Sequence, residues 1–173
     1  MRIQGLHHIA YKCGDPEATR AFYEELLGLP MTMTVEATTV PTTGGPAVTY
    51  FHFFFEMGDG SSIAFFDLAD DQKPLPSPNV PAWANHLALQ VGSLDELKQY
   101  RDRLTAAGVE VIGELDHEFV RSIYFFDPNG VRLEITAKTE DEPAFVKRAR
   151  GAAADEFAVW MQRRKALQPV QAG

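Results

Sequence analysis

With 173 residues, 45% of them hydrophobic, the chain is long enough for one domain or two fused half-domains around a sizeable core. Its 16 basic and 24 acidic residues give a net charge of −8 with no Lys/Arg cluster that could track a phosphate backbone, which argues against nucleic-acid binding. A lone cysteine, Cys13, excludes an intramolecular disulfide and a multi-cysteine zinc cage; no apolar run approaches a membrane span and MRIQGLHHIAYK does not read as a secretory signal, so a cytoplasmic protein is expected.

HIAYK (8–12) reads as a first strand with His8 and Ala10 on one face and Ile9 and Tyr11 on the other. Asp15 is a good N-cap, and the spacing after it predicts a helix from Pro16 to about Leu27 that stops at Gly28. Three extended segments follow, MTMTVEATT, AVTYFHFFFEM and SSIAFFDL, with VPTTGGPA as a loop before the second and a turn at Gly60 before the third. DDQKPLPSPNVPAW, with four prolines, reads as an extended linker. HLALQ (86–90) then repeats the pattern of HIAYK at an offset of 78 residues. The same offset aligns Gly14 with Gly92 and Asp15 with Ser93. A second helix is expected from Leu94 to about Ala107, with Gly108 at its stop, followed by the extended segments VEVIGEL, RSIYFFD and VRLEITA.

The final hairpins of the halves, MGDGSSIAFF and DPNGVRLEI, match at an offset of 70 through Gly60 and Gly130. Each half is therefore strand, helix, three strands: an α+β fold of two tandem βαβββ modules. The divisions are 1–68 for the first module, 69–84 for the linker, 85–139 for the second module and 140–173 for a C-terminal helical extension. In that extension the helix runs from about Glu142 to Leu167, with Phe145, Ala149, Phe157, Trp160 and Met161 at helical spacing; it packs on the body or, in the rarer reading, on a second copy in a homodimer.

Strand parity places His8, His86 and Glu134 opposite the apolar, helix-packing faces. Two imidazoles and a carboxylate can hold one divalent metal and leave coordination positions open for chemistry. A closed structural site needs a fourth protein ligand, and the position matching Glu134 in the first half is Ala64.

LHHIAYKCGDPEATRAFYEELLGL resembles the opening of vicinal oxygen chelate proteins, the superfamily of glyoxalase I, bleomycin-resistance proteins, fosfomycin-resistance enzymes and extradiol dioxygenases. The resemblance covers residues 3 to about 138 and implies an open cup-shaped mixed sheet around the metal, with ligands from the first and last strands of the modules, where His8, His86 and Glu134 fall. YFFDPNGVRLE (124–134) is similar to the extradiol dioxygenase signature of Tyr, two residues, Asp-Pro, any residue, Gly, then Glu. His117, with five residues between it and Ile123, supplies the upstream histidine, while Leu115 departs from the pattern.

That likeness implies ring cleavage of a catecholic small-molecule substrate with Fe(II), or next Mn(II). Tyr124 would orient the substrate and His117 or His52 would serve as the proton carrier. Parity places Tyr124 with Ser122 and Phe126, and His52 at the position of Ser122 in the other half. His117 must sit in a loop or bulge to reach the site, and His7 is expected to point away. Two alternatives remain open: a non-oxidative Lewis-acid enzyme of the glyoxalase or fosfomycin-modifying type, with Zn(II) or Ni(II) as further metals, and a ligand-sequestering protein of the bleomycin-resistance type.

Overall fold

The computed structural model describes residues 1–40, 47–70, 72–81 and 83–167. Most of the loop expected at VPTTGGPA lies outside the described residues. In the first module β1 (His8–Lys12) leads into α1 (Pro16–Arg20), which continues as a π-helical segment, Ala21–Leu26, and then into β2 (Met31–Ala37), β3 (Tyr50–Glu56) and β4 (Ser62–Asp67). The second module repeats the order as β5 (Leu87–Val91), α2 (Leu94–Ala106), β6 (Ile112–Asp116), β7 (Val120–Phe126) and β8 (Arg132–Lys138), and α3 (Glu142–Leu167) follows. Among the described residues no helix or strand lies between Asp67 and Leu87, and no helix is long and apolar enough to cross a membrane.

The helix starts form by the expected chemistry. Asp15 Oδ1 accepts from the Ala18 N–H at 3.0 Å and Ser93 Oγ accepts from the Glu96 N–H at 3.2 Å, each satisfying an N-terminal donor that no helical carbonyl can reach. Gly28 and Gly108, at φ 76° and 80°, end the two helices in the left-handed region. The first helix differs from expectation in its second half, where the Leu27 N–H reaches back five residues to the Phe22 carbonyl. This wider turn accompanies the burial of two consecutive aromatics, Phe22 and Tyr23.

The strand orders are β1-β4-β3-β2 and β5-β8-β7-β6, each with a parallel outer pair and antiparallel hairpins. Registers match between the modules: Phe54 opposes Ala64 as Tyr124 opposes Glu134, and His52 opposes Phe66 as Ser122 opposes Thr136. One core takes the apolar faces of both sheets, with Phe53, Phe55, Ile63 and Phe65 from the first and Ile123, Phe125, Leu133 and Ile135 from the second. Leu97 and Leu104 of α2 and Phe22 and Tyr23 complete it. Burying these faces in a common cluster is the main source of cohesion between the modules, at about 25 cal/mol per Å² of apolar surface removed from water.

Because both sheets turn their apolar faces inward, their opposite faces point away from one another. α3 is held at its start, where Phe145 stacks on Phe119 with centroids 4.4 Å apart. Farther along, Phe157, Val159, Trp160 and Met161 are exposed.

Candidate metal centre

On the outer face of the second sheet, β8 carries Glu134, and His86 stands one residue before β5 begins. Glu134 is 7% exposed, and its Oε2 lies 3.0 Å from His86 Nε2. Tyr124, directly across from Glu134 on β7, sets its ring 6.0 Å from that of His86. Burial first, and then the Glu134 carboxylate, push the Tyr124 hydroxyl above its ordinary pKa. It is therefore a neutral hydroxyl, able to donate, at neutral pH.

His117 joins this group through a bulge. Between Gly113 and Leu115 the register of β6 slips against β7, so that Leu115 faces Ser122 and Asp116 faces Arg121. The extra residue reverses the alternation that would have sent His117 inward, and its Nε2 lies 3.0 Å from the Tyr124 hydroxyl. Gly113 is required there: its φ is 110°, and a Cβ would lie 2.7 Å from the Ser122 carbonyl oxygen.

The first sheet carries a separate group on its own outer face. His8 packs its ring edge against Phe54 and His52, with centroids 5.3 Å and 6.0 Å away. His52 is 8% exposed and stacks flat on Phe66 at 3.6 Å. Its Nδ1 lies 2.9 Å from the Phe65 carbonyl, which can only accept, so Nδ1 carries the hydrogen and Nε2 is the acceptor of the neutral ring. Burial lowers the His52 pKa, favouring that neutral form. His7, expected to point away, lies before the strand starts, and its Nδ1 is 2.7 Å from that of His8.

The structure thus brings His86, Glu134, Tyr124 and His117 together and places His8 and His52 in a second group. Among the described residues no three His, Cys, Asp or Glu side chains of one chain converge on a point where an ion could sit. The donor chemistry nevertheless suits a divalent ion: a buried carboxylate and an imidazole meet on one face, and an exposed imidazole occupies the corresponding face of the sister sheet. Among the described residues no third His, Cys, Asp or Glu side chain joins His86 and Glu134.

Arg132 is a neighbour of the site whose importance the sequence reading passed over. Its guanidinium lies 4.9 Å from the Tyr124 ring centroid, and the signal was its position on the same strand face as Glu134.

Residues 5–135 match the family model Glyoxalase/Bleomycin resistance protein/Dioxygenase superfamily. The chain is 29% identical to biphenyl-2,3-diol 1,2-dioxygenase of Paraburkholderia xenovorans over 84% of its own length but only 45% of that protein. It is 23% identical to metallothiol transferase FosB of Lysinibacillus sphaericus, over 87% of this chain and 94% of that one. The fosfomycin resistance protein FosX of Listeria monocytogenes, solved with Mn(II) and 1S,2S-dihydroxypropylphosphonic acid, superposes with a TM-score of 0.59 at 26% identity, over 83% of this chain and 99% of that one.

Proposed function

The chain belongs to the glyoxalase/bleomycin resistance protein/dioxygenase superfamily, and on that premise we propose that it is a divalent-metal enzyme that cleaves a catecholic ring beside its two hydroxyls. The observation that carries this reading is the His117–Tyr124 pair, 3.0 Å apart and next to Glu134, because it unites in space the three residue types that the signature-like stretch holds in order. The reaction consumes one diol and one dioxygen, breaks one ring carbon–carbon bond and leaves an oxygen on each former end.

His86 and Glu134 would hold the ion, Fe(II) by preference and Mn(II) next, and His8 from a second copy of the chain would complete the set. A homodimer supports this arrangement geometrically, since the outer faces of the two sheets of one chain cannot meet, whereas those of two copies related by a two-fold axis can. When bound, the ion supplies a redox-capable Lewis acid. The chain's own residues do the rest. Tyr124 offers its hydroxyl to a substrate oxygen, His117 receives or returns a proton through that hydroxyl, and His52 presents a neutral Nε2 from the opposite wall. Phe54 and Phe66, flanking His52, provide an apolar surface for an aromatic ring.

A Lewis-acid reaction without oxygen is the second reading, favoured by the likeness to FosB and FosX over nearly their whole lengths. Oxygen uptake separates the two. Protein purified anaerobically and reconstituted with Fe(II) or Mn(II) should consume oxygen with a panel of catechols and form a yellow ring-opened product, and Glu134→Ala should abolish both. Stoichiometric metal without oxygen uptake would overturn ring cleavage in favour of the second reading.

A narrower expectation concerns the proton carrier. Tyr124→Phe and His117→Ala should each lower kcat about 10- to 100-fold while leaving metal content unchanged. The double variant should be no slower than the worse single one, because the two side chains act as a unit. Additive losses measured by steady-state kinetics would separate their roles.

A further inference from the structure

Among the described residues Arg132 Nε is the one buried side-chain nitrogen or oxygen left without a hydrogen-bond partner. Buried donors are almost always satisfied, and a charged donor left unpaired is costly, so this atom marks a place where an acceptor is missing. The ring of Tyr124 beneath the guanidinium accounts for its position but offers no acceptor in the plane of Nε. The nearest strand neighbour that could serve, Glu134, is engaged by His86.

The surroundings repeat the signal. Arg132 lines two adjoining cavities of about 280 and 250 Å³, which share Pro76, Ser77 and Asn85 of the segment between the modules. His86 lines the first cavity and Lys73 the second. Among the described residues neither lining includes an Asp or Glu, in a chain whose net charge is −8. Among the described residues neither Lys73 nor Arg132 has a carboxylate partner. Asn85 and Ser77, hydrogen-bonded to each other at 3.1 Å, add neutral polar groups beside the two cations. Since His86 belongs both to this pocket and to the candidate metal centre, a ligand could reach both at once.

We propose that this pocket binds an anionic group of the substrate, a carboxylate or a phosphonate, with Arg132 as its main partner and Lys73 as a supporting charge. The guanidinium fork suits a two-oxygen acceptor, and Lys73 adds attraction without fixing direction. The inference rests on the metal-centre reading for the rest of the substrate: the oxygens that chelate lie toward His86 and Glu134, and the acid group lies toward the inter-module segment. Arg132 thus determines specificity, selecting charged over neutral substrates of the same shape.

The test separates binding from turnover. Titration calorimetry of the full chain, with and without Mn(II) and in the absence of oxygen, should show phenylphosphonate or phenylacetate binding that weakens about 10- to 100-fold in Arg132→Gln and is partly restored in Arg132→Lys. The stronger of the two probes identifies the acid group. Lys73→Gln should give a smaller loss that vanishes at high salt. With the iron-loaded protein, kcat/KM for 3,4-dihydroxyphenylacetate should exceed that for 4-methylcatechol, and Arg132→Gln should remove the preference.

No binding of either probe, or equal binding by wild type and Arg132→Gln, overturns the proposal even if both catechols are cleaved. Arg132-dependent binding without any oxygen uptake upholds it and overturns ring cleavage instead.

Discussion

Chains carrying His8→Ala and chains carrying Glu134→Ala, each inactive and without metal alone, are expected to regain about half of the wild-type metal and turnover when assembled into mixed dimers. In a two-fold dimer built as proposed, each site takes His8 from one copy and His86 with Glu134 from the other. A mixed dimer therefore has one site with both defects and one with neither. Co-expression of the two variants under different affinity tags, followed by purification through both, isolates this species, and metal analysis with an activity assay reads the outcome. The geometry behind the expectation is the shared core: with Ile63, Phe65, Ile123 and Leu133 packed in one cluster, His8 and Glu134 lie on faces turned away from each other. Loss of either ligand should weaken metal binding by at least about 100-fold, since even residues that merely orient ligands are worth 10- to 100-fold. If the doubly tagged dimer holds no metal, the shared site is wrong.

The same feature explains what could be read in advance. Local rules were enough wherever a residue's role depends on its neighbours in sequence. Asp15 and Ser93 cap helices, Gly28 and Gly108 end them, and the offset of the final hairpins matches Ala64 with Glu134 and His52 with Ser122 as the registers do. Strand parity also put His8, His86 and Glu134 on the faces away from the helices.

Parity gives the side of a sheet, however, and not how two sheets are stacked. Phe22 meets Phe125 of the other module, Tyr23 packs on Phe55 and Phe65 and bonds Asp127, and both sit in a widened helical turn that no spacing rule announces. Parity does say that His117 needs a loop or bulge to reach the site, but not that the extra residue falls between Gly113 and Leu115. Arg132 was visible as a charge beside Glu134, but its want of an acceptor becomes apparent only when the inter-module segment folds over it. The spacing of Phe145, Phe157, Trp160 and Met161 marks α3 as a helix but does not tell that Phe145 meets Phe119 while the other three stay exposed.

Asp127→Ala should be the most destabilising single change outside the apolar core, by roughly 3 kcal/mol, lowering Tm by roughly 6–12 °C. Its carboxylate accepts from the Asn129 and Val131 N–H groups at 2.9 and 2.7 Å, from Asn129 Nδ2 at 3.2 Å and from the Tyr23 hydroxyl at 3.0 Å. Asn129 in turn holds the first module, donating to Thr19 Oγ1 at 3.0 Å and accepting from the Gly14 N–H at 2.9 Å. One turn of the second module is thereby fastened to the helix of the first, and truncation would leave several buried donors unpaired at once. Tyr23→Phe, which removes a single hydroxyl, should cost about 1 kcal/mol.

Burial raises the Asp127 pKa above its ordinary 3.8, against the opposing effect of these donors. A carboxyl whose pKa is raised by folding adds stability that is complete below the unfolded value and is lost as pH rises through the folded one. The stability of wild type relative to Asp127→Asn, followed by denaturant unfolding, should therefore be greatest in acid and decline as pH rises above about 4. A gap that widens instead would mean that the hydrogen-bond donors outweigh burial and that the turn is held by a charged carboxylate.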